Sequence, residues 1–213
     1  MSDLTDASDL AGLVPAPPLD GLRARLVARA AERGLLDVAY RTLDTPLGRL
    51  LLAATPTGLV SVTFDGDRPD ETLARLAEAL SPRVLEAPAV LDDAAHALDD
   101  LIAGRARAFH GSLDLTLARG FGRQVVERLR EIPYGETRSY AEVAAAVGSP
   151  KAVRAVGTAC RKNPLPIVIP CHRVVRSDGG MGQYAGGVEA KRLLLDVEAH
   201  APTIEQEPRS GRG

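Results

Sequence analysis

Short apolar runs separated by turn residues dominate the first half of the chain. Three of them follow one another closely: 38–43, 50–54 and 59–64. Because proline and glycine occupy the intervals, at Pro46, Gly48 and Gly58, we predict three strands joined as hairpins. Two helices and a further strand are predicted after them, over 70–80, 91–103 and 112–117. The pattern therefore indicates a small domain that mixes helices with a short antiparallel sheet.

An amphipathic segment precedes the first strand. Four apolar residues recur on one face of a helix predicted over 20–34: Leu22, Leu26, Val27 and Ala30. Gly34 is a typical helix end. Residues 1–18 are acidic and then rich in proline, so we expect a disordered lead. The lead has no early lysine or arginine, which is not the pattern of a secretory signal.

Helical periodicity replaces the strand pattern from about Arg119. A helix is predicted over 120–132, with Phe121, Val125 and Leu129 facing inwards. We place a domain boundary at this change of pattern. The predicted parts are an N-terminal extension, a first domain, a second domain and a disordered tail: 1–36, 37–118, 119–199 and 200–213.

Two capping signals predict a pair of short helices in the second domain. Ser139 and Glu142 have the spacing of a capping box, which predicts a helix over 140–147. Ser149, followed by proline, suits the N-cap of a second helix over 150–162. Two short helices joined by a tight turn that contains glycine are typical of a helix-turn-helix.

The second helix of this pair has an unusual surface. Its small residues would let the backbone approach a neighbour closely: Ala152, Ala155, Gly157 and Ala159. Arg154 and Arg161 flank them. Such a helix suits a groove of DNA. Close packing against another helix explains the small residues equally well.

The net charge of −2 conceals an asymmetry between the two halves. Residues 1–118 hold 11 basic and 18 acidic side chains, whereas residues 119–192 hold 13 and 6. A basic second half suits a polyanion such as nucleic acid, although solvated basic helix faces are common. The composition, with 45% hydrophobic and 25% charged residues, indicates a globular chain. It has no apolar run long enough to span a bilayer. The two cysteines are 11 positions apart and form no CxxC pair, so we expect reduced thiols and a cytoplasmic protein.

The candidate chemistry lies in the apolar, proline-containing stretch over 164–170 and the residues after it. Pro170 ends this stretch, and Cys171 and His172 follow directly. A thiolate is the reactive form of cysteine, and a neighbouring base raises its population. Adjacent side chains on a strand point to opposite faces, so cooperation needs a bend or a bridging water. A buried structural cysteine is the alternative.

The order and spacing of several motifs resemble the O6-alkylguanine-DNA alkyltransferases, also called methylated-DNA–protein-cysteine methyltransferases. Five segments carry the resemblance: Ile132–Tyr140, Arg154–Gly157, Asn163-Pro164, Pro170–Val174 and Gly186–Val188. It implies a ribonuclease H-like α/β first domain and a winged-helix-like second domain with the helix-turn-helix, an α+β protein overall. It also implies repair by one irreversible transfer of the alkyl group to cysteine.

The resemblance also assigns roles to residues at the reacting centre. Cys171 would be the nucleophile, and His172 would take its proton through a water, oriented by Glu198. Tyr140 would protonate the departing guanine oxygen. Asn163, with main-chain groups near Val174 and Tyr184, would hold the base. The implied pocket comprises Pro166, Val174, Tyr184, Ala185 and Gly186, and no metal or cofactor is implied.

On the same resemblance, the partner is double-stranded DNA containing O6-alkylguanine, bound through the minor groove by a monomer. Base extrusion costs a few kcal/mol. Arg154 would fill the gap that the flipped base leaves. The other implied DNA-binding residues are Ala155, Gly157, Arg161 and Tyr140. Repair of O4-alkylthymine is a possible extension of this activity.

Some residues depart from the family pattern. Val126 replaces a common tryptophan and Gly122 a common glutamine, while Cys160 belongs to no motif and suits a space-filling role. Three other functions compete with repair. Alkyltransferase-like proteins bind alkylated DNA without repairing it, but they lack the nucleophilic cysteine. A thiol hydrolase and a plain DNA-binding regulator are the remaining alternatives.

Overall fold

A computed structural model describes residues 19–64 and 68–200. The predicted disordered lead, 1–18, lies outside these residues, as does the tail from 201 onwards. The predicted tail began at residue 200, but His200 is the last residue of a helix. The predicted α+β class is confirmed, with a small sheet domain first and a helical domain after it.

The three predicted hairpin strands are present and make up most of the sheet. They are β1 (Val38–Thr45), β2 (Gly48–Thr55) and β3 (Gly58–Thr63). A short strand that was not predicted, β4 (Val84–Glu86), pairs in parallel with β1, so the order is β3-β2-β1-β4. The sheet is therefore mixed rather than purely antiparallel, and β3 is an edge strand.

Helices cover both faces of the sheet. Leu76 of α2 (Pro69–Ala79) packs with Leu51. Leu98 of α3 (Asp92–Ile102), which follows a 3-10 turn over Pro88–Leu91, packs with Leu52 on the opposite face. Alternate residues of β2 thus serve two cores, as expected for a strand.

The strand predicted over 112–117 is wrong. Only Leu113 forms a single bridge, to Leu59. Asp114 turns the chain instead, because its carboxylate accepts hydrogen bonds from the backbone N–H of Thr116 at 2.9 Å and from the hydroxyl of Thr55 at 2.6 Å. An aspartate that binds the backbone two residues on favours a turn over a strand.

The predicted N-terminal helix is present as α1 (Leu19–Glu32), but its apolar face is only partly used. Ala30 is buried and Val27 is partly buried. Leu22 and Leu26 are 46% and 57% exposed, so they do not contribute to the core. Periodicity predicted the helix but not its orientation.

The second domain contains four helices: α4 (Gly120–Leu129), α5 (Tyr140–Ala146), α6 (Val153–Arg161) and α7 (Gly187–His200). The predicted capping box of α5 is confirmed, with Ser139 and Glu142 exchanging side chain-to-backbone hydrogen bonds. The predicted Ser149 N-cap is wrong. Ser149 instead accepts the N–H of Ala152 at 2.8 Å in a turn. Proline suits the second position of such a turn, which delays the helix by three residues.

Edge strand β3 joins the two domains next to the candidate chemistry. The N–H of Val62 donates to the carbonyl of Pro164 at 2.8 Å. The ring of Phe64 meets Tyr184 edge to face, with the centroids 5.7 Å apart. Phe64 also lies so close to Gly186 that a Cβ there would come within 2.3 Å of the ring. The sheet therefore supports the loop that precedes α7. None of the helices in the described ranges is long and apolar enough to cross a membrane.

Candidate active site

The backbone bends sharply at the cysteine. The stretch before it forms consecutive turns rather than a strand, and Ile167 adopts a positive φ of 73°. Cys171–Arg173 is a single 3-10 turn, after which β6 (Val174–Val175) pairs with β5 (Arg138–Ser139). In such a turn, consecutive side chains are not forced to opposite sides. The bend that cooperation between Cys171 and His172 requires is therefore present.

The Cys171 thiol is buried and protonated at rest. It is only 2% exposed. Burial raises its pKa to about 11, against smaller lowering effects of a hydrogen bond from Asn163 and of the Lys191 charge. A thiol with this pKa is almost wholly protonated at neutral pH. Nucleophilic reaction therefore needs a base that removes the proton.

His172, the next residue in the chain, is the candidate for that base. Its Nε2 lies 2.8 Å from Oε1 of Glu198. Its Nδ1 is buried and finds no hydrogen-bond partner among residues 19–64 and 68–200. Burial lowers the pKa of His172 below its ordinary value, against the opposing effect of Glu198. A neutral ring that donates Nε2–H to the carboxylate leaves the Nδ1 lone pair free to accept a proton.

Glu198 is held by three partners. Besides His172, Arg173 donates through Nε and Nη2 to both carboxylate oxygens at 2.9–3.1 Å. The N–H of Gly135 adds a bond of 3.1 Å to Oε2. Burial would raise the pKa of Glu198, but its bonds to His172 and Arg173 lower it to about 2. The carboxylate is therefore ionised at every pH at which the protein would work.

Arg173 has a supporting role that the sequence analysis did not assign. It is only 7% exposed. Its Nη1 donates to the carbonyl of Ile132 at 2.6 Å, and its guanidinium lies 5.4 Å from the ring centroid of Tyr134. The turn after α4 is thereby fixed to the end of α7. In the sequence, the signal for this role of Arg173 was its position directly after His172.

Asn163 supports the turns that lead to the cysteine. Its Nδ2 donates to the carbonyl of Ile169 at 3.0 Å, and its Oδ1 accepts the N–H of Leu165 at 3.1 Å. It is buried. These two bonds fix the turns that precede Cys171, so the structure gives Asn163 a scaffolding position.

Tyr140, the first residue of α5, lies between two glycines. A Cβ on Gly157 would be 3.8 Å from its ring, and one on Gly182 would be 2.5 Å from its hydroxyl. Burial raises the pKa of Tyr140, and Cys160 and Cys171 raise it further. The phenol is therefore a neutral donor close to the thiol. The small residues predicted on α6 do not all lie on an open surface, because Ala159 is buried in the core.

Lys191 is a second residue that the sequence analysis left without a role. It is fully buried, and its Nζ donates to the carbonyls of Val174, at 2.5 Å, and Met181. Burial lowers its pKa, whereas Cys171 and Cys160 raise it. Lys191 thus joins β6, the strand after the cysteine, to residues 177–186, which we call the glycine-rich loop. Its spacing of seven from Glu198 puts both on one face of α7.

The remaining cysteine fits its predicted space-filling role. Cys160 is 4% exposed on α6, and burial raises the pKa of its thiol to about 12. No base comparable to His172 is paired with it within the described residues.

The predicted pocket residues do not enclose one open cavity. A cavity of about 370 Å³ is lined by Tyr140, Arg154, Gly157, Arg161 and Gly182, among others. Pro166 and Ala185 line a second cavity, of about 400 Å³, together with Asn163. Gly186 borders a third, whereas Val174 and Tyr184 line none of these three. Cys171 lines none of them either.

The predicted DNA-binding residues of α6 face outwards. Arg154, Ala155 and Arg161 are exposed, and Gly157 is partly exposed beside Tyr140. Arg176, on the segment after β6, lines the same 370 Å³ cavity and adds a third guanidinium. This 370 Å³ cavity beside Tyr140, which we call the basic mouth, is therefore lined by three guanidinium groups.

Comparison with known proteins agrees with this architecture. Residues 38–115 match the model of the ribonuclease-like domain of 6-O-methylguanine DNA methyltransferase. Residues 120–200 match the model of the DNA binding domain of the same family.

Individual relatives cover most of the chain. It is 39% identical to the methylated-DNA–protein-cysteine methyltransferase of Mycolicibacterium paratuberculosis, covering 78% of this chain and 95% of that protein. It is also 39% identical to the bifunctional transcriptional activator/DNA repair enzyme Ada of Escherichia coli, covering 84% of this chain but spanning only 50% of Ada. The structure of Mycobacterium tuberculosis OGT in complex with DNA aligns with a TM-score of 0.65 at 37% identity, covering 78% of this chain and 96% of that one. The chain therefore belongs to the 6-O-methylguanine DNA methyltransferase family.

Proposed function

We propose that this protein repairs DNA by transferring the alkyl group of O6-alkylguanine to Cys171 in a single, irreversible reaction. The observation that carries the proposal is the pairing of a buried thiol with His172, whose Nδ1 is unpartnered within the described ranges and whose Nε2 is bonded to Glu198. A buried base with one free nitrogen, adjacent in sequence to a protonated thiol, suits proton removal at the moment of attack.

The proposed reaction balances without a cofactor. The Cys171 proton passes to His172 Nδ1, directly or through a water, and the sulfur attacks the alkyl carbon. The carbon–O6 bond breaks, and guanine leaves with a proton from Tyr140. Proton return from His172 restores Tyr140, so the net exchange is thiol plus alkylguanine for thioether plus guanine. Because nothing then removes the alkyl group, each molecule acts once.

DNA recognition is assigned to the basic mouth. Arg154 lies on exposed α6, where its guanidinium can stack in the gap left by an extruded base. The small neighbours of Arg154 permit close approach to the minor groove. The base would enter past Tyr140, displacing the glycine-rich loop, in which Gly179 and Gly182 have positive φ values. We further propose that the protein acts as a monomer in the cytoplasm.

Mass spectrometry after incubation with a duplex containing O6-methylguanine tests the proposal. We expect one methyl group per molecule, on the peptide that contains Cys171 and not on the one that contains Cys160. Cys171→Ser should abolish transfer while retaining DNA binding, and Cys160→Ser should retain both. DNA binding without a mass change would instead indicate an alkyltransferase-like protein or a regulator. Multiple turnovers would indicate a hydrolase.

A further inference from the structure

The first domain contacts the candidate active site at two nearby points of edge strand β3. Val62, within β3, donates its N–H to the carbonyl of Pro164 at 2.8 Å, which fixes the strand to the turns that lead to Cys171. Phe64, two residues further on and directly after β3, contacts the glycine-rich loop instead. No step of the reaction proposed above uses the Phe64 contact.

Phe64 touches the end of the glycine-rich loop at two residues. Its ring meets that of Tyr184 edge to face, with the ring planes at 73° and the centroids 5.7 Å apart. At Gly186 the same ring leaves no room for a side chain, because a Cβ there would overlap its Cε1 and Cζ atoms. Gly186 is not in the left-handed region, so the ring, rather than the backbone conformation, accounts for glycine at this position.

Tyr184 connects this contact to the reacting centre. It is only 8% exposed, and its ring meets the His172 ring edge to face, at 84° and 6.2 Å between centroids. Edge-to-face contacts favour a limited range of distances and tilts, so each ring restricts the position of the next. A row of three rings, Phe64, Tyr184 and His172, therefore leads from the first domain to the proposed base.

The glycine-rich loop is confined differently near its two ends. At Gly182 it lies against Tyr140, where an added Cβ would be 2.5 Å from the hydroxyl, and this is where the extruded base is proposed to enter. Phe64 holds the opposite end, from Tyr184 to Gly186. A loop that is fixed at one end can yield at the other and close again over a bound base.

We propose that Phe64 is a positioning residue for substrate binding: by holding Tyr184 and Gly186, it lets the first domain set the affinity of the thiol site for the alkylated base. The inference rests on the proposed function. It concerns binding rather than chemistry, because Phe64 has no titratable or nucleophilic group and Glu198 holds His172 independently. The first domain thereby acts on the site without supplying a reacting group.

Saturation kinetics with free O6-benzylguanine test the proposal without DNA, with alkylation of Cys171 followed by intact mass. The loss of an aromatic pair of ordinary strength corresponds to about a fivefold loss of affinity. We expect Phe64→Leu to raise the half-saturating concentration by about fivefold and to keep the limiting rate within about twofold of the natural one. An unchanged half-saturating concentration, or a fall in the limiting rate alone, overturns the inference while leaving alkyl transfer intact. If neither this probe nor an alkylated duplex modifies Cys171 in the natural protein, the proposed function is wrong as well.

A compensating pair of substitutions separates positioning from a general loss of structure. Gly186→Ala should raise the half-saturating concentration, because its methyl group meets the Phe64 ring. Leucine lacks Cε1 and Cζ, so Phe64→Leu/Gly186→Ala should bind the probe as well as Phe64→Leu alone. Losses that add up in the double variant would show that the Phe64–Gly186 contact is not the cause, and would overturn the inference.

Phe109→Leu is the matched control. Phe109 is also a partly buried ring that precedes the second domain, but it packs against Gly111, where an added Cβ would lie 2.6 Å from the ring. The control should lower the free energy of unfolding by urea, as Phe64→Leu does, yet keep the natural half-saturating concentration. An equal rise in both variants would mean that any loss of core packing weakens binding, which would remove the positioning role of Phe64.

Discussion

His172 Nε2 lies 2.8 Å from Glu198 Oε1, although the two residues are 26 positions apart on different elements. The contact joins the 3-10 turn of the cysteine to the last turns of α7. It fixes which ring nitrogen carries the proton and leaves Nδ1 as the only basic atom of the ring. If His172 takes the proton of Cys171 as proposed, the reactivity of the thiol depends on how the C-terminal helix is docked.

Glu198→Gln should slow alkylation of Cys171 by about tenfold to a hundredfold, since it removes the charge that stabilises protonated His172. Glu198 raises the pKa of His172 against burial, so the variant should also lower that pKa further. The rate declines once pH falls below the His172 pKa, and this acidic limb should move to lower pH. Rates with O6-benzylguanine measured over a pH series give both quantities. Glu189→Gln, exposed on the same helix, is the control; an unmoved acidic limb would contradict a role through His172.

Ionised Glu198 should also make the stability of the fold sensitive to acid. The pKa of Glu198 falls from 4.5 to about 2 on folding, so its ionised form stabilises the native state above pH 4.5. That contribution, about 3 kcal/mol as an upper estimate, is lost as pH falls from 4.5 towards 2. The free energy of unfolding by urea should therefore decrease more steeply over this interval in the natural protein than in Glu198→Gln. If the free energy of unfolding changes in parallel with pH in the two proteins, ionised Glu198 does not stabilise the native state.

Replacement by alanine should have opposite effects on stability at Gly122 and at Gly182. Gly122 lies inside α4 without a positive φ, and a Cβ added there would meet open space, so Gly122→Ala should stabilise by about 0.5–1 kcal/mol. Gly182 has a φ of +67°, and a Cβ there would lie 2.5 Å from the Tyr140 hydroxyl. Gly182→Ala should lower both the melting temperature and the alkylation rate. Thermal unfolding of both variants tests this, and equal shifts would show that Tyr140 is not confined by the loop.

Local signals in the sequence predicted the local structure well. The hairpin strands and the Ser139–Glu142 capping box depend on residues a few positions apart, and both are present. The failures have physical causes of longer range. Strand β4 has only three residues and exists because β1 offers a parallel partner. Asp114 breaks a predicted strand through a local bond from the N–H of Thr116, and Thr55, 59 residues away, holds the same carboxylate.

The candidate site shows the same division. The motif identified Cys171 and His172, but no spacing rule joins them to Glu198, and only the family resemblance suggested that pairing. Lys191 was overlooked because a lysine on an amphipathic helix is normally exposed. Its burial follows from two carbonyls, those of Val174 and Met181, that face it from other segments.

Lys191→Met tests whether this buried amine tunes the thiol. The change leaves two buried carbonyls without their donor, which should cost about 2 kcal/mol or more. It also removes a positive charge that lowers the pKa of Cys171, so that pKa should rise and alkylation should slow. Thiol titration by ultraviolet absorbance and urea unfolding measure the two effects. Arg192→Met, the exposed neighbour on α7, should change neither; an unaltered Cys171 titration in Lys191→Met would confine the lysine to a structural role.

Arg154→Ala separates base extrusion from chemistry. Arg154 is exposed on α6 and lines the cavity beside Tyr140, but it does not contact the thiol relay. Repair of O6-methylguanine in duplex DNA requires extrusion, which costs a few kcal/mol, whereas free O6-benzylguanine requires none. The variant should therefore lose about tenfold or more of its rate on duplex, yet react normally with the free base. Single-turnover rates on both substrates make the comparison, with exposed Arg130→Ala as control. Equal losses on the two substrates would remove Arg154 from the extrusion step and place its effect on the thiol site itself.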